Sequence, residues 1–500
     1  MNPPLPSNAT PSRETLHSEK LGVWSIVFFV VAAAAPLVGM TGALPPAIVL
    51  GNGAGAPGAY LVVGLTLLLF SVGYAAMSHR VTNAGAFFTY IGRGLGPEAG
   101  LASAFVSIIA YLTIQLAIYG FFGGLMSVQI GLLPWWGWCA VAWVLVTLLT
   151  LCQVDVGAKL LGVLLVMELG CLLITAVTIL GQGGPEGLDF AASFSPSAIL
   201  AGGLTGSAGI ALAFAFASFI GFEASAIYGE EAKNPKTAVP RATYLSVGVI
   251  TVLFALTSFA VVTGLGASKV VEQVVALSTV DKVPLTDPAA VLFSVARQYV
   301  GGWMAVAMSV LVLSSLFAGL LAFQNSASRY FFALGRAKAL PAALGRVNRF
   351  GAPGNGAWAT SVITGLVIAT FVVAGLDPVL NMFFWFSGLA VVSIVLIEIL
   401  VCVAVIVFFH RNRGDEGVFV TKVAPLLAAV GLVLGEYLLM SRFGLLSGAV
   451  AEGVDPTTTT WGLSLLGWAL LLLPFAVLAV GLVYARGQNE HEKLLEDILV

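Results

Sequence analysis

The sequence predicts an all-helical (all-α) integral membrane protein whose chain crosses the bilayer twelve times. Its 500 residues are 59% hydrophobic and only 9% charged, and the mean hydropathy is +1.00. A soluble domain carries about 25% charged residues, so this composition excludes an ordinary soluble globular fold. Apolar stretches long enough for one crossing, about 20 residues each, recur along the whole chain.

Twelve such stretches are separated by polar or glycine-rich connections. In chain order they are residues 21–50, 59–78, 101–130, 136–152, 157–180, 202–228, 242–264, 302–332, 357–373, 380–409, 423–440 and 463–483. They predict one membrane domain, residues 21–486, between two cytoplasmic tails, residues 1–20 and 487–500. We expect the first tail to be disordered and not a signal peptide, because no short apolar region with a cleavage site follows it.

The positive charges predict the orientation of these spans. With the N-terminus placed inside, all but four of the 22 lysine and arginine residues fall on the cytoplasmic side. The four exceptions are Lys269, Lys282, Arg297 and Arg442. By the positive-inside rule both termini are cytoplasmic, and we expect a multi-pass protein of the plasma (inner) membrane.

The first span carries residues that interrupt a helix. Its second half contains Pro36, Gly39, Gly42, Pro45 and Pro46. Proline removes a backbone donor and glycine tolerates non-helical angles, so we expect the helix to break here. A break at membrane depth must face protein or a wet cavity. Interrupted spans of this kind mark the binding sites of secondary transporters, although a proline-kinked packing helix is the plainer alternative.

Span 6 carries the second anomaly. Gly221 and Glu223 lie within an apolar run, flanked by Ser218 and Ser225. Because spans 1 and 6 are five crossings apart, residues 21–180 and 202–409 would form two inverted repeats, with residues 423–483 as two peripheral spans. This is the arrangement of broken-helix transporters.

Other classes of function lack their usual signatures. The cysteines and histidines lie in apolar runs, tails or span ends, without metal-ligand spacing, so no metal site and no cofactor is expected. No basic patch with interleaved aromatic residues suggests nucleic acid. The chain also has no intramembrane His–Ser pair, H-E-x-x-H motif or paired aspartates of an enzyme, and no selectivity-filter sequence of a channel.

Three stretches in the middle of the chain carry a family resemblance. The first is S-F-I-G-F-E at Ser218–Glu223, the second runs from Asn325 to Pro353, and the third follows span 2. Their distinctive residues are Glu231, Asn234, Pro235, Pro240 and Arg241 after the first; Asn325, Arg329, Phe332, Arg336, Pro341, Leu344 and Pro353 in the second; and Asn83, Ala84, Gly85, Phe88, Tyr90 and Gly94–Gly96 in the third. The sequence resembles the amino acid–polyamine–organocation (APC) superfamily, and specifically its bacterial amino acid permeases.

The resemblance implies a LeuT-type inverted repeat and secondary active transport of an amino acid or a related amine. The sequence departs from the family at three points. Gly39-Met40-Thr41-Gly42 replaces the usual G-S-G or G-x-G-I of the first broken helix, and Ala217 stands where many relatives have an aromatic gate. Glu168 stands near the position where some relatives have a lysine in span 5.

The predicted substrate site combines the two breaks. Free N–H groups at the start of an outer half-helix suit a carboxylate, and freed carbonyls suit an ammonium group. The candidate residues are Pro36, Gly39, Met40, Thr41 and Gly42 in span 1, and Ser218, Phe219, Gly221 and Phe222 in span 6. Tyr111 and Gln115 of span 3, on one face with Tyr119, are further candidates. Aromatic packing of the phenylalanines and interhelical hydrogen bonding of span 3 are the alternatives.

Four glutamates lie within spans, namely Glu168, Glu223, Glu398 and Glu436. A carboxylate in the bilayer is costly unless it is paired, hydrated or protonated. Glu168 and Glu223 belong to the repeats and are the candidates for proton coupling, although Glu223 could instead bond the unwound backbone of span 1. We expect Glu398 and Glu436 to be packing or interface groups.

Asn325 and Arg329, one turn apart near the inner end of span 8, predict a cytoplasmic gate or loop anchor. The sequence as a whole predicts a proton-coupled symporter that works by alternating access and needs only its small-molecule substrate, a coupling proton and the lipid bilayer. An ion-independent exchanger and, less favoured, a polyamine or organocation uptake system are the alternatives.

Overall fold

The computed structural model describes residues 22–81, 86–152, 158–223, 225, 232–412 and 414–487. Within these ranges the chain is mainly helical, and it includes two isolated β-bridges, Val280–Val283 and Val450–Leu463. The predicted tails lie outside these ranges, apart from Gly487. Asn83–Gly85 and Glu231 of the family motifs also lie outside them.

Seven helices cover the first part of the chain: α1 (Val23–Ala34), α2 (residues 36–52), α3 (Ala56–Arg80), α4 (Ala86–Leu95), α5 (Pro97–Gln129), α6 (Trp135–Leu151) and α7 (Ala158–Gln182). Six further helices of varied length follow: α8 (Phe190–Phe194), α9 (Pro196–Ile199), α10 (Ala208–Phe219), α11 (Pro235–Leu265), α12 (Val270–Ser278) and α13 (Ala289–Tyr299).

The last six helices are α14 (Gly302–Arg336), α15 (Gly354–Val373), α16 (Pro378–Arg411), α17 (Phe419–Ser441), α18 (Phe443–Ser447) and α19 (Leu465–Arg486). Helix α5 runs through the middle of the bundle and packs against α14, α16 and α19, while α3 packs along α11. These contacts place α5 among three long helices of the bundle.

In the described ranges, nine helical stretches are long and apolar enough to cross a membrane, or ten if a pair bent by 116°, Pro196–Thr205 with Ala208–Phe219, is one span. One of the nine, Val23–Arg80, has 58 residues. A single crossing needs about 20 residues, so this stretch is far too long for one span. The predicted class, an all-helical multi-span membrane protein, is confirmed.

The first interruption lies at Ala35, between α1 and α2. Ala35 has a left-handed backbone (φ 45°, ψ 68°), a conformation that costs a residue with a β-carbon about 1–2 kcal/mol. The break therefore precedes the predicted segment Pro36–Gly42, which lies in the first turns of α2. The reason is that proline is tolerated in the first turn of a helix, where its missing N–H has no helical partner. Helix α2 then alternates α- and π-helical turns.

The second interruption follows Phe219, the last residue of α10. Ile220 is extended (φ −56°, ψ 128°) and Gly221 has a φ of 115°. A β-carbon at Gly221 would lie 3.1 Å from both the carbonyl carbon and the Cβ of Ala33, at the end of α1. The two interruptions are therefore in direct contact.

A buried arginine ties down the loops at one end of the bundle. Arg442, at the end of α17, is only 7% exposed. Its guanidinium donates to the carbonyl oxygens of Thr205, Pro456, Thr457 and Thr459. The segment before α10 and the loop before α19 are thus held by one side chain.

Candidate functional site

The contact between the two interruptions is the centre of the candidate site. At the start of α2, the N–H groups of Val38 and Gly39 both donate to the Ala35 carbonyl oxygen, at 2.9 and 3.1 Å. Pro36 has no amide hydrogen, so Leu37 is the first residue of α2 that has one. Since the start of a helix carries partial positive charge, this end of α2 suits an anionic group.

Glu223 closes the turn after α10. Its carboxylate accepts hydrogen bonds from the Gly221 N–H, at 2.9 Å, and from the Tyr111 hydroxyl of α5, at 3.0 Å. Its main-chain oxygen accepts from the Tyr74 hydroxyl of α3, at 2.9 Å, and the residue is fully buried. One carboxylate oxygen is thus bonded to the interrupted backbone of span 6 itself and the other to α5. The sequence offered a structural role of this kind, but with the unwound backbone of span 1 as the partner.

Glu168 lies on α7 and is 4% exposed. It lines a cavity of about 20 Å³ together with Ala32 of α1, Leu164 and Leu165 of α7, and Ser314, Ser315 and Ala318 of α14. One of its carboxyl oxygens, Oε2, has no hydrogen-bond partner among the described residues. A cavity of about 10–15 Å³ is large enough for one water, so this carboxyl has room for a hydrating molecule beside the end of α1.

The glycines predicted to contact substrate are close to neighbouring helices. A β-carbon at Gly39 would lie 3.1 Å from Ser218 and from Phe254, and one at Gly42 would lie 2.9 Å from Phe121. The structure therefore brings the predicted part of span 1 against the predicted part of span 6. At both positions a β-carbon would be tight against a neighbouring side chain, which would have to shift.

The hydroxyl groups at this contact already have partners. Thr41 Oγ1 donates to the Leu37 carbonyl oxygen at 2.7 Å, within α2. Ser218 Oγ donates to the Phe214 carbonyl oxygen at 2.8 Å and lies 3.4 Å from the Tyr60 hydroxyl. Each oxygen keeps lone pairs that can accept a further hydrogen bond. Met40, beside Thr41, is completely buried.

The two aromatic candidates are packed against other rings. Phe219 meets Phe254 edge to face at 5.4 Å between ring centroids, and Phe222 meets Phe70 in the same way at 5.8 Å. Both are 1% exposed. In this conformation they have the packing role that the sequence offered as the alternative.

Gln115 of α5 takes part in a buried network that joins several helices. Its Nε2 donates to Gln324 Oε1 of α14 at 2.7 Å, and Gln324 Nε2 donates to Ser361 Oγ of α15 at 2.9 Å. Ser361 Oγ in turn lies 2.8 Å from Thr147 Oγ1 of α6. The structure thus gives Gln115 the interhelical hydrogen bond that was its alternative role.

Sequence reasoning missed Gln324 and Tyr74, although both hold candidate residues in place. Gln324 is followed by Asn325 after a long apolar part of α14, and this pair of amides was a usable signal. Nothing in the sequence near Tyr74 points to Glu223, because the two residues are far apart along the chain.

Asn325 and Arg329 lie towards the C-terminal end of α14, where Asn325 is exposed and Arg329 half-buried. Beside them, Tyr330 contacts the Tyr111 ring at 5.4 Å and the Phe88 ring at 5.7 Å. These three rings pack together beside Glu223, so the predicted gate residues border a cluster of aromatic side chains. We call this cluster the first aromatic closure.

A second aromatic closure lies beside α2. Phe121 of α5 stacks on Phe383 of α16 at 5.1 Å between centroids, and Phe214 of α10 meets Phe384 at 5.7 Å. Ala217 lacks the ring that the resemblance leads one to expect.

Two interrupted helices whose broken ends touch, inside a bundle of long apolar helices, define a multi-span membrane protein of the broken-helix class. The chain belongs to the amino acid permease family, whose sequence profile matches residues 21–481. The predicted resemblance is thereby confirmed, and the family is one of transporters and not of enzymes.

Two curated relatives resemble parts of the chain. The branched-chain amino acid permease BcaP of Lactococcus lactis is 29% identical over 156 residues, 31% of this chain and 30% of that protein. An uncharacterised transporter of Legionella pneumophila is 26% identical over 218 residues, 43% of this chain and 44% of that protein. The chain thus matches less than half the length of either relative.

Proposed function

We propose that the protein is a secondary active transporter that moves an amino acid or a related amine across the plasma membrane. The observation that carries the proposal is the contact between the two interruptions, where Gly221 lies against Ala33. This contact brings the interrupted backbones of two helices to one place in the bundle. Family membership and the printed names of both relatives support it.

The proposed topology has twelve spans with cytoplasmic termini, in two inverted repeats, residues 21–180 and 202–409, followed by residues 423–483. Support comes from the five-span separation of the interruptions and from the positive-inside distribution. The substrate is proposed to bind between the two closures, which contain Tyr111 and Tyr330 on one side and Phe121 and Phe383 on the other. Alternating access would open one closure at a time.

The substrate carboxylate is proposed to bind at the start of α2, near Leu37, and the ammonium group at the carbonyls freed around Ala33. Pro36–Gly42, Ser218, Gly221 and Phe222 would form the walls. Charge complementarity favours this orientation, because the N-terminus of α2 is partially positive and the C-terminus of α1 partially negative. Since one relative is named a branched-chain amino acid permease, apolar amino acids are the first substrates to test.

Proton coupling is proposed to involve Glu168, with Glu223 as the second group. Glu168 lies where α1 ends and beside α14, so movement of the α1–α2 break would change the surroundings of its carboxyl. A buried carboxyl without a cation is least costly when it carries a proton. If the two conformations bind that proton with different affinity, proton binding drives the exchange between them.

Uptake by proteoliposomes tests the proposal. Purified protein should accumulate a labelled branched-chain amino acid when the outside is acidic, and collapse of the gradient with a protonophore should abolish accumulation. Uptake that ignores the gradient and requires amino acid inside would identify an exchanger. Absence of flux for every amino acid and amine tested would contradict the proposed function.

A further inference from the structure

Two more carboxyl groups are buried away from the proposed site. Glu398 of α16 is 2% exposed and Glu436 of α17 is 7% exposed. Glu398 Oε2 and both carboxyl oxygens of Glu436 have no hydrogen-bond partner among the described residues. A buried polar group without a partner is rare in proteins, so these two groups require an explanation.

The two carboxyls lie on packed helices, within electrostatic reach of each other and of Glu223. Helix α16, which carries Glu398, packs against α17, which carries Glu436, and against α3, whose Tyr74 hydroxyl donates to the main-chain oxygen of Glu223. On its own helix, the titratable neighbour of Glu398 is the Cys402 thiol. The three carboxyls of Glu223, Glu398 and Glu436, which we call the acidic row, therefore lie on segments that are linked by helix packing, and the last of them is on a helix outside both proposed repeats.

No positive charge accompanies this row in the described part of the chain. The one buried cation there is Arg442, six residues after Glu436 and just beyond the C-terminal end of α17, and its guanidinium donates to carbonyl oxygens of two loops. The described residues also contain no group of His, Cys, Asp or Glu side chains arranged to hold a metal ion. Three neighbouring carboxylates without a cation would repel each other in a medium that screens charge poorly.

We propose that Glu398 and Glu436 form a second proton-binding site, in which the pair holds at least one proton. The proton occupies a carboxyl oxygen, leaves one negative charge or none on the pair, and returns to solvent when the pair ionises. Because Glu223 is an electrostatic neighbour of Glu398, occupancy of this site is coupled to the charge of Glu223, and the coupling is reciprocal. The site does not depend on the transport mode proposed above.

The test is infrared difference spectroscopy on the full-length protein in lipid nanodiscs, which follows the carbonyl stretch of protonated carboxyls during pH titration. Glu398→Gln and Glu436→Gln preserve size and remove the acid. Each is expected to remove part of the protonated-carboxyl band. In Glu436→Gln, the remaining Glu398 band should disappear at lower pH than in the wild type, because a like charge has been removed.

Glu452→Gln, on an exposed loop, is the matched control and should leave the band unchanged. Unaltered bands in both Glu398→Gln and Glu436→Gln would overturn the proposal. If each substitution removes its own band but leaves the titration of the other glutamate unchanged, the two glutamates do not share a site, and that part of the proposal would be overturned. If Glu398→Gln does not fold, Glu436→Gln alone still measures both the loss and the coupling. Because the infrared experiment does not measure uptake, a negative result for the proton-binding site is distinct from a negative result for the transport proposal.

Discussion

The Tyr111 hydroxyl donates a hydrogen bond to Glu223 across 3.0 Å, and this bond joins the continuous helix α5 to the interrupted backbone that follows α10. One oxygen of Glu223 is occupied by the turn itself and the other by a helix that has no break. The position of the second interruption is therefore fixed relative to α5.

Tyr111→Phe should lower the thermal stability of the purified protein and slow uptake. The substitution leaves one buried oxygen of Glu223 without a donor, and such a loss costs about 1–3 kcal/mol. Thermal unfolding in detergent measures the effect. Tyr244→Phe, on a side chain that is 38% exposed, is the control and should change little. Equal stability of the two variants would show that the bond to Glu223 is unimportant.

Glu168→Gln should abolish the pH dependence of uptake while substrate binding persists. Glutamine has the same shape and can remain hydrogen-bonded in the cavity beside Ser315, but it cannot exchange a proton. Initial uptake rates over a range of external pH, with binding by thermal shift, separate the two effects. Glu452→Gln provides the control. A pH profile identical to that of the wild type would remove Glu168 from the coupling mechanism.

Gly221→Ala should damage folding and transport more than Gly187→Ala. Both glycines have a positive φ, of 115° and 79°, so each substitution carries a backbone cost of about 1–2 kcal/mol. Only at Gly221 does the new β-carbon also meet Ala33, whereas Gly187 has open space. Expression, monodispersity and uptake of the two variants isolate the effect of the contact. Comparable expression, monodispersity and uptake of the two variants would mean that folding and transport do not depend on the close contact between Gly221 and Ala33.

Glu186, in the connection after α7, should contribute to stability against acid. Hydrogen bonds from the Ser268 side chain and backbone N–H hold the pKa of this exposed carboxyl below its usual value of 4.5. A lowered folded-state pKa stabilises the protein above the unfolded pKa, and this contribution is lost as the pH falls through the folded value. Glu186→Gln should therefore flatten the acid side of a plot of Tm against pH. The control variant Glu452→Gln should keep the wild-type slope of Tm against pH on the acid side.

The interruptions were predictable from sequence because proline and glycine act locally. Gly221 lies at the break that its neighbourhood indicated, and Pro36 misplaced the first break by a single residue, since proline starts a helix as readily as it ends one. The location of the candidate site in spans 1 and 6 followed from those local signals. Which residues of span 1 contact which residues of span 6 did not follow from those signals.

The partners of buried polar groups were not predictable. Gln115 and Gln324 both lie in largely apolar helices, and their 2.7 Å hydrogen bond depends on how α5 and α14 pack. The same holds for Tyr74, whose bond to Glu223 spans 149 residues of sequence. Only tertiary packing decides such pairs, so composition and periodicity carry no information about them.

The carbonyl oxygens bound by Arg442 belong to two loops that are distant in sequence, one near Thr205 and the other spanning Pro456 to Thr459. The two loops therefore present a single composite surface to the aqueous phase. An antibody fragment raised against the folded protein and binding this surface would need both loops at once. Such a fragment would recognise neither loop as a peptide, and it would report directly on the folded state of that end of the bundle.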